Sequence, residues 1–121
     1  MHAELCKALA NEHRLAILYA LSQGEMSVSQ LAEEVGISLH NVSQHLRILK
    51  ERLLVTARKE GQTVNYSITS LKYIRGCSLI RQALVEQIRA QGQSLIAADL
   101  LDAVERMPLP GTEEEPDVAS P

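Results

Sequence analysis

Apolar residues recur at helical spacing along the first half of the chain, in blocks separated by capping and turn residues. Residues 2–10 predict a short helix with Leu5, Cys6 and Leu9 on one face, and Asn11 suits both its end and the cap of the next. Residues 12–22 carry a stripe of Leu15, Leu18 and Leu21. Ser27-Val28-Ser29-Gln30 has the S-x-x-Q form of a capping box, opening a helix to residue 35 with Val28, Leu31, Ala32 and Val35 inward. Gly36 permits a tight turn, Ser38 can cap again, and Val42, Leu46 and Leu49 mark the buried side of a helix over residues 38–50. The period then changes. Residues 54–58 and 63–69 are β-prone, and in the second run Val64, Tyr66 and Ile68 alternate with Asn65 and Ser67, which predicts a hairpin with one buried face, one wet face and Gly61 at its tip.

Helical spacing returns over residues 70–91, with Ile74, Cys77, Ile80, Leu84 and Ile88 along one side. Gly92 weakens that helix, and residues 94–107 present Ile96, Leu100, Ala103, Val104 and Met107. These apolar stripes exceed what the small N-terminal unit needs, and a second copy of the chain is the simplest partner. Beyond Pro108 the acidic, Pro-rich segment is too poor in apolar residues to fold and is expected to be disordered. The expected organisation is therefore one main domain over residues 1–92, an additional helix over 93–107 and an acidic tail over 108–121.

A helix, a Gly-containing turn and a second helix with a polar outer face form a helix-turn-helix. The outer face of the second helix carries His40, Asn41, Ser43, Gln44 and Arg47, in place of the Glu/Lys mixture common on solvated helices. Amides, hydroxyls and a guanidinium suit base edges and phosphates in a major groove. The bland alternative, a solvated polar face, loses ground once charge is mapped. The chain carries a net charge of −3, but Glu113, Glu114, Glu115 and Asp117 concentrate acid in the tail. Between residues 37 and 75, Arg47, Lys50, Arg52, Arg58, Lys59, Lys72 and Arg75 face only Glu51 and Glu60, with Arg58 and Lys59 expected to point positive charge outward from the hairpin. A local positive field steers an anionic polymer.

Aromatic residues make up 2% of the chain and Trp and Phe are absent, so the core must be aliphatic and thin, which also favours a dimer. No apolar run reaches the roughly 18 residues of a bilayer span and no secretory signal opens the chain, so no membrane association and a cytoplasmic location are expected. Little suggests an enzyme: there is no Gly-rich phosphate loop, no clustered Asp/Glu pair with helical spacing in an apolar pocket, no Ser or Cys with an obvious base and orienter, and Asn11 is expected to break the helix between Cys6 and His13. A module that docks protein would instead expose apolar or aromatic anchors.

The order of elements, together with the strings Lys7-Ala8-Leu9-Ala10-Asn11-Glu12-His13-Arg14-Leu15, Leu31-Ala32 through Val35-Gly36, Val42-Ser43-Gln44-His45-Leu46-Arg47-Ile48-Leu49-Lys50 and Ala57-Arg58-Lys59-Glu60-Gly61-Gln62-Thr63-Val64-Asn65-Tyr66, resembles the ArsR/SmtB family of bacterial winged-helix repressors over about residues 5 to 90. The resemblance implies a mainly α winged helix-turn-helix with a β-hairpin wing, dimeric through its first and C-terminal helices, that binds palindromic operator DNA and is released by a ligand, metal ion or thiol oxidation. It maps Ser38, His40, Asn41, Ser43, Gln44 and Arg47 onto the recognition helix and Arg58, Lys59 and Gln62 onto the wing. His45, beside the core positions, is expected to pack or hydrogen-bond.

Departures from the family bear on the signal. Metal-sensing members often carry E-L-C-V-C-D-L-A, where this chain has Glu25-Met26-Ser27-Val28-Ser29-Gln30-Leu31-Ala32, and hydroxyls replace the thiolates that soft metals and metalloids want. Residues 69–91 lack the Asp and His that other members use for zinc. Leu53 stands where the family often has Gly. Cys6 and Cys77 remain, with no CxxC pair to suggest a zinc finger. They read as a thiol-oxidation or persulfide switch, as a metal or metalloid site joined by His2, which lies one helical turn from Cys6, or as small buried apolar side chains.

Overall fold

The computed structural model describes residues 2–92 and 95–106. The elements are α1 (His2–Leu9), α2 (Glu12–Ser22), β1 (Met26–Ser27), α3 (Val28–Val35), α4 (Leu39–Glu51), β2 (Val55–Glu60), β3 (Thr63–Ile68), α5 (Lys72–Ala90) and α6 (Leu95–Glu105). Two units result, the first ending at Ile74 and the second beginning at Arg75. That boundary differs from the expected break after residue 92.

In the first unit the caps act as the sequence indicates. Asn11 Oδ1 accepts from the backbone N–H groups of His13 and Arg14, at 2.9 and 3.0 Å. Ser27 Oγ accepts from the Gln30 N–H at 3.2 Å while Gln30 Oε1 accepts from the Ser27 N–H at 2.9 Å, completing the capping box. Gly36 closes α3 in the left-handed region, φ 82°, where a Cβ would be strained. Ile17, Leu18, Leu31, Val42, Leu46, Leu49 and Leu54 are fully buried, and α4 packs on α2, α3 and β2.

The C-terminus of α4 is a Schellman turn. The Leu54 N–H donates to the Leu49 carbonyl at 2.9 Å and the Leu53 N–H to the Lys50 carbonyl at 3.0 Å. The motif requires a left-handed residue, and Leu53 supplies it at φ 68°, with its side chain 64% exposed. A branched side chain is strained there, which gives the family's glycine a physical reason. Replacing Leu53 by Gly is expected to raise unfolding free energy by about 0.5–1 kcal/mol, read as a higher urea midpoint.

The sheet is antiparallel, in the order β1-β3-β2. Its first strand was not apparent in the sequence: Met26 pairs with Tyr66, and Ser27 pairs with Asn65 while also capping α3. The hairpin is tighter than expected. Glu60 pairs with Thr63, so Lys59 and Glu60 belong to β2 and only Gly61 and Gln62 form the loop. The alternation of wet and buried faces in β3 is also muted, since residues 64–68 are all half-buried. A strand at the centre of the sheet has neighbours on both edges, and polar side chains cover the Asn65/Ser67 face, as described below.

In the second unit α5 and α6 share a small core of Val85, Ile88, Ala97 and Val104, with Leu101 packed against it. This packing covers part of each apolar stripe and leaves part of it open. Ile80 and Leu84 are 71% and 45% exposed, whereas Ile74, Val85 and Ile88 are buried. On α6, Val104 of the expected stripe is buried together with Ala97, whereas Ile96, Leu100 and Ala103 are exposed; Met107 lies outside the described residues, as does the expected acidic tail. The apolar arc on each helix is wider than one stripe, and mutual packing selects which part is covered. Arg89 and Glu105 bridge the pair at 3.2 Å. No helix among the described residues is long and apolar enough to cross a membrane.

Candidate nucleic-acid interface

Helix α4 is anchored on one side and open on the other. Ser38 caps it by accepting from the Asn41 N–H at 3.1 Å, and Val42, Leu46 and Leu49 lock its inner stripe into the core. The same periodicity leaves His40, Asn41, Ser43, Gln44 and Arg47 exposed together, as expected, with Ser38 exposed at the helix start. Leu39, 54% exposed beside His40, was passed over because an apolar residue at a helix start reads as core. In this position it suits a thymine methyl group. His45 is half-buried between the polar face and the core, as expected, and its partners lie on α2.

The hairpin departs from the expectation in one respect. Arg58 does not point free charge outward: its Nε and Nη2 donate to the two carboxylate oxygens of Glu25, at 3.1 and 2.7 Å, and Nη2 also reaches Glu60 at 3.3 Å. Asn65 donates to Glu60 and Ser67 to Glu25, both at 3.3 Å, so the two carboxylates and the guanidinium cover this face of β3. The hydrogen bond from Arg58, with its positive charge, holds the Glu25 carboxyl below the ordinary carboxylate range, and Glu25 raises Arg58 in turn. Glu25 lies 33 residues from Arg58, and pairing of β1 with β3 brings its end of the chain to the wing. The exposed Lys59 and Gln62 are left at the wing's end. Replacing Glu25 by Gln should return the charge of Arg58 to the wing: binding to random DNA strengthens at low salt, and the log–log salt slope steepens by about 0.9, the value of one further phosphate contact. Salt titrations of the two proteins on one random duplex check this.

The thiols sit in different units. Cys6 is exposed on α1 with its Sγ 3.6 Å from His2 Nε2, and Cys77 is half-buried on α5. Exposure of Cys6 argues against a purely packing role for it. Among the described residues no group of three or more His, Cys, Asp or Glu could hold a metal ion. Ser27, aligned with a metal-ligand cysteine of other members, is used as a helix cap.

A model of bacterial regulatory proteins of the arsR family matches residues 11–57, from the α2 cap to the middle of β2. The chain is 37% identical over 107 residues to nodulation protein NolR of Rhizobium meliloti, covering 88% of this chain and 77% of that one. It belongs to the arsR family. The helix-turn-helix and hairpin of this arsR-family chain therefore form the fold of a family of bacterial transcriptional regulators. The transcriptional activator HlyU of Vibrio cholerae is 47% identical over 66 residues, 54% of this chain and 61% of HlyU, so the match spans less than two thirds of that relative. Among solved structures, the homodimeric winged helix-turn-helix DNA-binding domain Mb0332 of Mycobacterium bovis superposes with a TM-score of 0.63 at 36% identity, covering 76% of this chain and 85% of that one.

Proposed function

We propose that this arsR-family chain is a cytoplasmic, homodimeric repressor that binds operator DNA through α4 and the wing and releases it when Cys6 and Cys77 are oxidised. The observation that carries the DNA reading is the single exposed face of His40, Asn41, Ser43, Gln44 and Arg47 on a helix whose opposite side is wholly buried. Asn and Gln match adenine, Arg matches guanine or phosphate, and Lys59 and Gln62 would add backbone contacts. Dimerisation is supported by the exposed Ile80, Leu84, Ile96 and Leu100 and by the homodimeric state of the Mycobacterium bovis relative.

For release, the exposed Cys6 thiol supports an oxidative signal. With hydrogen peroxide as oxidant, the two S–H bonds break as the thiols lose two protons and two electrons in all, one S–S bond forms, and the peroxide O–O bond breaks to give two waters. A metal or metalloid site using Cys6, His2 and Cys77 is the second reading, favoured by the 3.6 Å approach of His2 to Cys6.

The test selects operator DNA from a random pool with the purified protein, then titrates it under peroxide or thiophilic metal ions. Steeply salt-dependent, sequence-selective binding is expected, relieved by peroxide in the parent and not in Cys6→Ser or Cys77→Ser. Flat salt dependence would point to a protein-docking module, and equal release of parent and variants would remove the thiols as sensors. Relief by metal ions alone would select the second reading.

A further inference from the structure

We infer that Arg14 is a positioning residue for operator recognition, one whose guanidinium ties the recognition helix to the end of α1 through neutral His45. The inference rests on the DNA-binding reading of α4 and adds to it a residue that touches no DNA. Asn11 fixes the base of Arg14 by accepting its backbone N–H at 3.0 Å. From there the side chain spreads over three groups: Nε donates to the Ala8 carbonyl at 2.7 Å, Nη2 to the Lys7 carbonyl at 3.2 Å, and Nη1 meets His45 Nδ1 at 3.4 Å. The first two acceptors belong to the last turn of α1, where the helix dipole favours a cation.

The third contact dictates the state of His45. A guanidinium has only donors, so Nδ1 must accept, and the ring proton must sit on Nε2. A protonated ring has no acceptor to offer and would repel Arg14. The buried stripe of α4 holds that helix to the core along one line, and a contact at its margin resists roll about that line. His45 occupies the margin, one turn after Asn41 and next to Gln44. Loss of the tie therefore alters how the groove-reading side chains are presented, more than whether the helix forms.

Acid acts on the same contact. Burial, then the positive charges of Arg14 and His13, hold the His45 pKa below the ordinary histidine value. Arg14 and His13, both on α2, are the charged neighbours that lower it; the other charged groups of the elements packed together here are Glu12 on α2, Glu33 and Glu34 on α3, Arg58, Lys59 and Glu60 on β2, and His40, Arg47, Lys50 and Glu51 on α4. Because the folded pKa is lower than the unfolded one, the unfolded chain binds the proton more readily. The stabilisation is complete above the ordinary value and is lost as pH falls through the window down to the folded value.

The experiment measures binding of the full chain to its selected operator and to a scrambled duplex, at about pH 7.5 and about pH 5.5. In Arg14→Gln the ratio of operator to scrambled affinity at the higher pH is expected to fall about tenfold, with scrambled binding within about twofold of the parent. In His45→Gln, whose amide oxygen can accept from Arg14, the ratio survives at the higher pH and the acid loss seen in the parent disappears. His40 is common to every protein compared, so the difference between the parent and His45→Gln isolates His45. An unchanged ratio in Arg14→Gln, or an equal loss on both duplexes, overturns the inference. Should Arg14→Gln fail to fold by circular dichroism, the other pair decides: identical pH profiles for the parent and His45→Gln overturn it. A parent that binds neither duplex would instead overturn the DNA reading itself.

Discussion

Replacing Leu46 by Ala should remove about 2–5 kcal/mol of folding free energy, the range for truncating a leucine in a packed core. Leu46 is 1% exposed at the centre of the inner stripe of α4, and α4 packs against α2, α3 and β2 together. The cavity would border three elements that are each held elsewhere, so it cannot close by moving one of them. A small domain holds only about 5–15 kcal/mol in total, so a large share of the stability of the helix-turn-helix disappears. Urea unfolding followed by circular dichroism reads the loss as a lower midpoint. A change under 0.5 kcal/mol, of the size usual for a surface position, would mean that α4 is not anchored as described.

Replacing Gln44 by Ala is expected to have the converse effect. Gln44 is exposed on the opposite side of the same helix, so stability should stay within about 0.5 kcal/mol of the parent. Its amide offers a donor and an acceptor to one base edge, a contact worth about 1–3 kcal/mol of discrimination. The ratio of operator to random affinity should therefore fall by about 5- to 150-fold. Since glutamine carries no charge, the salt slope should not move. Lys59→Ala provides the contrast, weakening binding to all sequences alike and flattening that slope by about 0.9. If Gln44→Ala bound both duplexes with the parent's ratio, the helix would grip DNA without reading it at that position.

Local chemistry is where the chain declares itself most openly. The capping box at Ser27 and Gln30, the left-handed Gly36 and the Ser38 cap need only residues within one turn of each other, so their spacing along the chain is their spacing in space. The same holds for the inner stripe of Val42, Leu46 and Leu49, and hence for the polar face opposite it. These features carried both the helix-turn-helix and its candidate contacts.

What depended on distant segments was not legible. Whether Arg58 offers its charge to DNA turns on Glu25, brought beside it by a two-residue strand with no pattern of its own. Which part of the α5 stripe is covered within one chain was not legible either, because its apolar arc is wide and α6 determines the covered side. The meeting of Arg14 with His45, 31 residues apart, likewise required α2 and α4 to be packed first. The sequence by itself determined the elements, their caps and the polar face of α4, because those rest on periodicity and on neighbours within a turn. Only the tertiary structure decided which charges are spent within the protein, which apolar faces stay open and what holds the recognition helix in place, because each depends on side chains that meet only after the chain has folded.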